Sequence, residues 1–216
     1  MYQETISRAD ARRVYNQLGR KLDRADRQEG RAKATALALL GIAAGQQVLH
    51  VGVGTGSEQA AISRAVAPGG TVVGLDLARG LLELTRQRAD TPLCEGDAVA
   101  LPFAAASFDR LFSAYMLDLL SMRDIPIALA EFRRVLRPGG RLVLVSLTEG
   151  VDLASRLFVA SWKLGYQFDP ERYGGCRPLE QSRLVVHAGF GLEQRSVVVQ
   201  RGFPSEIVVA VRGTHP

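Results

Sequence analysis

The chain has 216 residues, 47% hydrophobic and 23% charged, a composition that fits one ordinary globular domain and excludes a disordered or fibrous chain. No run of eighteen apolar residues exists, so no transmembrane helix is expected, and MYQETISRADARR lacks the apolar stretch of a secretory signal. The formal net charge is +5, and two cysteines (Cys94, Cys176) and three histidines (His50, His187, His215) provide neither a disulfide framework nor metal-ligand spacing, so free thiols, a reducing cytoplasm and no metal are expected.

The charge is unevenly placed. Residues 1–33 carry nine Lys or Arg against five Asp or Glu, and the other 183 residues carry eighteen against seventeen. Nucleic-acid faces interleave basic groups with aromatics. This segment has only Tyr2 and Tyr15, so nucleic acid is not an expected partner. Residues 7–26 place Val14, Leu18 and Leu22 four apart, on one face of a helix, with arginines on the others. Such a helix either packs on the domain as a lid or lies on an anionic bilayer as a peripheral contact. A second helix, over about 30–41, carries Ala34, Leu37, Ala38 and Leu40.

From there strand and helix alternate. QQVLHV reads as a buried strand entering a glycine turn, and SEQAAISRAVA as a helix capped by Ser57. TVVGLDL is a second strand and ARGLLELTRQRA a helix. PLCEGD is a short third strand, and SFDRLFSAYM contains a fourth. RDIPIALAEFRRVLR is a helix that stops before Pro138, and RLVLVSLTEG is a fifth strand. Residues 152–168 and PLEQSRLVVHAGF suggest two more helices, and GLEQRSVVVQRG with SEIVVAVRG a terminal hairpin. This pattern predicts an α/β fold: a doubly wound, mostly parallel seven-stranded sheet with a C-terminal antiparallel hairpin. Residues 1–42 form an N-terminal helical lid segment and 43–216 one compact unit. Ligand then belongs at the carboxyl ends of the strands, at the switch in strand order.

Residues 52–56, Gly-Val-Gly-Thr-Gly, follow the first strand directly. Gly52 allows the sharp turn, Gly54 lets a ligand approach the backbone, and Gly56 allows close strand–helix contact. Asp76 ends the second strand, where a carboxylate can accept both ribose hydroxyls of an adenosine. Asp97, after the third strand, could accept the adenine amine. The plainer readings are a helix cap for Asp76 and a turn former for Asp97. The spacing Gly-x-Gly-x-Gly departs from the dinucleotide fingerprint, whose third glycine falls where Ser57 stands.

The motifs Val-Leu-His-Val-Gly-Val-Gly-Thr-Gly (48–56), Gly-Leu-Asp (74–76), Gly-Asp-Ala-Val-Ala-Leu-Pro-Phe (96–103), Ser-Phe-Asp-Arg-Leu-Phe-Ser (107–113) and Phe-Arg-Arg-Val-Leu-Arg-Pro-Gly-Gly-Arg-Leu (132–142) resemble, in order, class I S-adenosylmethionine-dependent methyltransferases. The likeness is nearest to the group holding ubiquinone/menaquinone C-methyltransferases and bacterial phosphatidylethanolamine N-methyltransferases. It implies S-adenosylmethionine as cofactor, held by Tyr15, His50, Gly52, Gly54, Gly56, Asp76, Leu77, Asp97, Ala98 and Ser113. It also implies a small, hydrophobic acceptor such as a quinone precursor or a lipid headgroup. The family has an acid where His50 stands, so Glu58 or another acid would have to meet the cofactor's cationic end, or His50 is a structural histidine. Tyr-Asp pairs of the family appear here as Tyr15-Asn16 and Leu22-Asp23. Methyl transfer from a sulfonium needs mainly alignment and a dry site. Tyr115, Asp118 and His187 are the candidates for a base. Trp162, Tyr166, Phe168 and Tyr173 could roof an acceptor pocket, and Arg177 could meet an anion or sit in a surface ion pair. The alternative to an enzyme is a cofactor-binding or interaction module of this fold without turnover.

Overall fold

Seven strands form one sheet in the order β3-β2-β1-β4-β5-β7-β6 in a computed structural model that describes residues 5–214. The strands are β1 (Gln47–Val51), β2 (Thr71–Asp76), β3 (Leu93–Glu95), β4 (Phe108–Ala114), β5 (Leu136–Leu147), β6 (Phe190–Gln200) and β7 (Phe203–Arg212). β1 to β5 pair in parallel, β7 runs antiparallel to β5, and β6 antiparallel to β7. This is the predicted topology. The hairpin turns at Arg201 and Gly202, both at positive φ, which matches the twist of a two-residue connection.

The helices are α1 (Arg8–Leu18), α2 (Asp26–Leu40), α3 (Ser57–Val66), α4 (Arg79–Arg86), α5 (Asp124–Val135), α6 (Leu153–Phe168) and α7 (Gln181–His187). Both sheet faces are covered. Leu49, Val51, Leu111 and Leu144 pack on one side with Ile125, Leu129 and Phe132 of α5. Val48, Val72, Phe112 and Val145 pack on the other with α2 and α3. The strands are apolar on both sides because neither face meets water.

Four local expectations change. The helix expected over 7–26 ends at Leu18, because Gly19 takes φ +47, and a 3-10 turn follows over Gly19–Ala25. α2 begins at Asp26 and buries Ala32, Ala36 and Leu40, while Ala34 and Ala38 are exposed. Alanine reports poorly which face is inward, and here small side chains let α2 lie close to the sheet. Gly56, not Ser57, occupies the cap position of α3, and the Ser57 hydroxyl accepts a bond from Arg88 instead. β5 starts at Leu136 rather than after Gly140: Pro138-Gly139-Gly140 bulges out, so the pair Phe108–Leu136 resumes at Arg110–Arg141.

Gly56 fixes the glycine turn against α4. A Cβ there would stand 2.8 Å from the Thr85 backbone, and φ is +90. The third glycine therefore serves a helix-to-helix approach, not the strand contact expected. Gly56→Ala should cost about 2–4 kcal/mol, from the left-handed backbone and the overlap together. Urea unfolding measures it; a loss below about 1 kcal/mol would show that the turn can yield.

Candidate functional site

The strand order reverses beside β1: β2 and β3 lie to one side, β4 and β5 to the other. A cavity of about 840 Å³ opens there, at the carboxyl ends of β1, β2 and β4. That is ample for a nucleoside-sized ligand with a second molecule beside it.

Its floor is the glycine turn. Asp76 Oδ2 accepts the Gly54 N–H at 3.0 Å, and Oδ1 accepts the Ala78 N–H at 2.9 Å. Asp76 thus ties the end of β2 to the turn after β1. Burial raises its carboxyl to about 6, against the lowering pull of these N–H groups. Asp97 lines the cavity with its carboxylate already engaged: Oδ1 accepts the Val99 N–H, as a turn former does, and Oδ2 accepts from Arg8 at 2.9 Å. Leu77 and Ala98 line the same end.

His50 lines the cavity but behaves as a structural side chain. Its Nδ1 lies 3.0 Å from Gln59 Oε1, and its ring packs 5.2 Å from Phe112. Burial lowers its imidazole to about 4, so it is neutral over the physiological range. The charges at this end come from residues that sequence reasoning ranked low or missed. Lys33 Nζ lies 3.2 Å from Glu29 and 3.8 Å from Glu58, and all three line the cavity. Glu58 was foreseen as an alternative acid. Glu29 and Lys33 were not, although their i,i+4 spacing was visible in the sequence.

The N-terminal segment covers the cavity and is held by its own arginines. Arg8 bonds Asp97, Arg12 bonds Leu77 O and Glu95, Arg13 bonds Glu171, and Arg20 bonds Gln87. Asn16 Oδ1 accepts the Gly80 N–H at 2.8 Å. Because the chain breaks at Gly19, Leu22 and Asp23 turn onto the glycine loop. The Thr55 hydroxyl donates to Asp23 at 2.5 Å, and Arg88 grips Asp23, Thr55 and Ser57 together. Both members of the Tyr-Asp-like pairs are therefore used: Tyr15 lines the cavity, and Asp23 latches the loop.

The far end is aromatic. Tyr115, Trp162, Tyr173 and Phe203 line it, with Trp162 4.7 Å from Tyr173 and 5.8 Å from Phe203. Lys33 Nζ lies 5.8 Å over the Tyr115 ring. The Tyr115 hydroxyl lies 2.6 Å from Ser205 Oγ, and burial pushes it well above its ordinary value, so it stays protonated.

The other candidates lie elsewhere. Ser113 is buried in β4 outside the cavity lining, and Gly56 is taken up by Thr85. Asp118 is fully buried outside the lining. Its Oδ2 accepts the Leu147 N–H and the Cys176 thiol, so it reaches the cavity only through Cys176. His187 is exposed on α7 and bonds Arg183 O. Phe168 points to solvent, and Tyr166 is buried against Gly175 O. Arg177 is neither a surface ion-pair member nor an anion site: it is buried and donates to Asp118 O and Leu120 O. His215 lies outside the described residues. Among the described residues no cluster could hold a metal, and no helix is long and apolar enough to cross a membrane.

The latch makes a prediction. Asp23→Ala removes charge-assisted bonds to Thr55 and Arg88 at a part-exposed position and should weaken lid closure by about 1 kcal/mol. Amide exchange over 19–25 should speed up about fivefold, and Arg88→Ala should act alike. Unchanged exchange in both would show that the lid is held elsewhere.

A family profile described as "Methyltransferase domain" matches residues 49–144, the span from β1 to β5 that builds the cavity floor. A demethylmenaquinone methyltransferase of Staphylococcus aureus is 30% identical over 158 residues, which cover 69% of this chain and 65% of the relative. The chain thus spans just under two thirds of that relative's length. Among solved structures, the methyltransferase in complex with the Haloferax volcanii Trm112 methyltransferase activator aligns over 92% of this chain and 97% of its own, with TM-score 0.73 and 20% identity. The N-methyltransferase NodS of Bradyrhizobium japonicum, in complex with S-adenosyl-L-homocysteine, aligns over 92% and 97% with TM-score 0.67 and 18% identity. Residues 49–144, with their ordered motifs and the Asp76-bound glycine turn, match a methyltransferase domain, and the chain shares the fold of S-adenosylmethionine-dependent methyltransferases, whose class I members it resembles.

Proposed function

We propose that the protein transfers a methyl group from S-adenosylmethionine to a small, hydrophobic acceptor, a quinone precursor or a lipid headgroup. The observation that carries this reading is one continuous cavity with two chemically different ends. One end offers a buried carboxylate and glycine backbone. The other offers aromatic rings. The residues present fit the cofactor. Asp76 keeps lone pairs for ribose hydroxyls beyond its two backbone bonds, and Gly54 presents bare backbone beneath Leu22, whose methyl lies 3.5 Å from where a Cβ would stand. Asp97 and Ala98 face the adenine side. Lys33, Glu29 and Glu58 supply both signs of charge for a zwitterionic methionine end, the role that neutral His50 does not fill.

When bound, the cofactor supplies a methyl on a positively charged sulfur, already a good leaving group. The chain's task is then to position the acceptor and to exclude water. Trp162, Tyr173, Phe203 and Tyr115 give a flat apolar acceptor its contacts. Asp118 holds the Cys176 thiol, and the thiol's raised titration, from burial, keeps it a proton donor. Of the two carboxylates that bear on Tyr15, Tyr115 and Cys176, Asp118 lies outside the cavity lining and Glu29 lines it. Glu29 is the group we assign to take a proton from an acceptor that must lose one. The arginine bonds of α1 support a lid rather than a bilayer-bound helix.

The test is calorimetry with S-adenosylmethionine, followed by detection of S-adenosylhomocysteine on incubation with quinol or lipid extracts. Binding without product would favour a module without turnover. Asp76→Asn should lose about 1.5–3 kcal/mol of affinity, since a charged acceptor is removed. The wild-type affinity should be flat above pH 7. Below about pH 6 it should weaken, approaching tenfold per unit, because ribose hydroxyls donate best to the ionised carboxyl and protonation competes. Asp76→Asn should abolish this slope. His50, titrating near 4, contributes none of it between pH 5.5 and 8. A slope that persists in Asp76→Asn would reassign it.

A further inference from the structure

α6 has two apolar faces, and only one is used. At about 100° per residue, Leu153, Leu157, Leu164 and Phe168 fall within an arc of about 60°. Their exposures are 75%, 63%, 60% and 82%. The opposite face carries Phe158, Val159, Trp162 and Tyr166. Of these, Trp162 lines the aromatic end of the cavity, and Phe158 packs on Trp162 and Phe203. The helix that walls the acceptor end therefore presents an unbroken apolar stripe to solvent one helix diameter away.

The charge around the stripe is directional. The nearby acids are engaged within the protein: Asp152 caps α6 through Ser155 and lies within electrostatic reach of Arg156, Asp169 accepts the Arg172 N–H at 3.1 Å, and Glu149 pairs with Lys163 at 2.5 Å. Arg156, on the flank of the stripe, and Arg201, in the β6–β7 turn, are exposed and form no ion pair among the described residues. The turn lies against α6: a Cβ at Gly202 would stand 3.7 Å from Phe158. An apolar stripe with exposed guanidiniums on α6 and in the adjoining turn complements an anionic lipid surface, where leucine and phenylalanine enter the headgroup boundary and arginines meet phosphates.

We propose that the outer face of α6 docks on an anionic bilayer and brings the aromatic end of the cavity to the membrane from which an apolar acceptor leaves. The docking surface stands on the exposure and charge of α6. Its purpose rests on the acceptor reading above. Exposed apolar side chains in a row on a helix cost solubility unless something covers them, and the arginines select which surface does.

The experiment is flotation of the full chain with phosphatidylglycerol/phosphatidylcholine vesicles (1:1) and with pure phosphatidylcholine, at low and high salt. The wild type should float with the anionic vesicles, and binding should fall severalfold in high salt or without phosphatidylglycerol. Leu157→Asp/Leu164→Asp should reduce binding at least tenfold. Arg156→Glu/Arg201→Glu, which leaves the stripe intact, should remove the preference for anionic lipid. Calorimetry with S-adenosylmethionine, unchanged in both variants, shows that they fold. A wild type that stays unbound, or a Leu157→Asp/Leu164→Asp variant that floats as well as the wild type, overturns the proposal. So does sedimentation velocity showing a dimer that the leucine variant dissociates, which assigns the stripe to a second copy. Absence of cofactor binding in the wild type would instead sink the methyltransferase reading and leave the vesicle result standing.

Discussion

The Asp76 carboxylate accepts one N–H from the turn after β1 and another from the start of α4. Through these two bonds a single side chain sets the distance between the glycine loop and the second βα connection. They are bonds to a charged acceptor in a buried place, so they are strong when made and costly to lose. The same burial that makes them strong raises the carboxyl to about 6. The position is thus structural and ligand-ready together, because each carboxylate oxygen keeps a lone pair free.

Around this joint the lid is arranged as a set of charge-assisted bonds rather than as a packed helix. Val14 is the buried residue of α1, while its arginines reach across to Leu77, Glu95, Asp97 and Glu171. Surface ion pairs contribute little singly and are screened by salt.

The aromatic end of the cavity depends on buried polar ties that replace flexible contacts. Arg177 donates to two carbonyls just after β4, Asp118 accepts the Leu147 N–H and the Cys176 thiol, and Trp162 donates to Cys176 O. Together they fasten the segment after α6 beneath the aromatic wall. Buried polar groups linked in this way resist rearrangement, because freeing any one leaves another unsatisfied. The inner face of α6 is thereby fixed, and its outer face is left exposed.

The sequence by itself determined the fold and the glycine-turn end of the cavity. Doubly covered strands are continuously apolar, glycine marks positions that need positive φ, and an acid at a strand end is a local signal; each survives in a linear reading. Gly52, Gly54, Asp76 and Asp97 were legible for that reason, and all line the cavity. Tertiary structure alone decided the rest. Whether Arg177 met solvent or backbone, and whether Asp118 faced the cavity or the core, depended on which distant carbonyls and amides came alongside. The break at Gly19 turned Leu22 and Asp23 onto Thr55, a contact across 32 residues that no helical period encodes. Likewise Phe168, on the same helix as Trp162, faces water because the sheet chose the other side of α6. Periodicity says that a helix has faces; only the packing of the whole chain says which of them is buried.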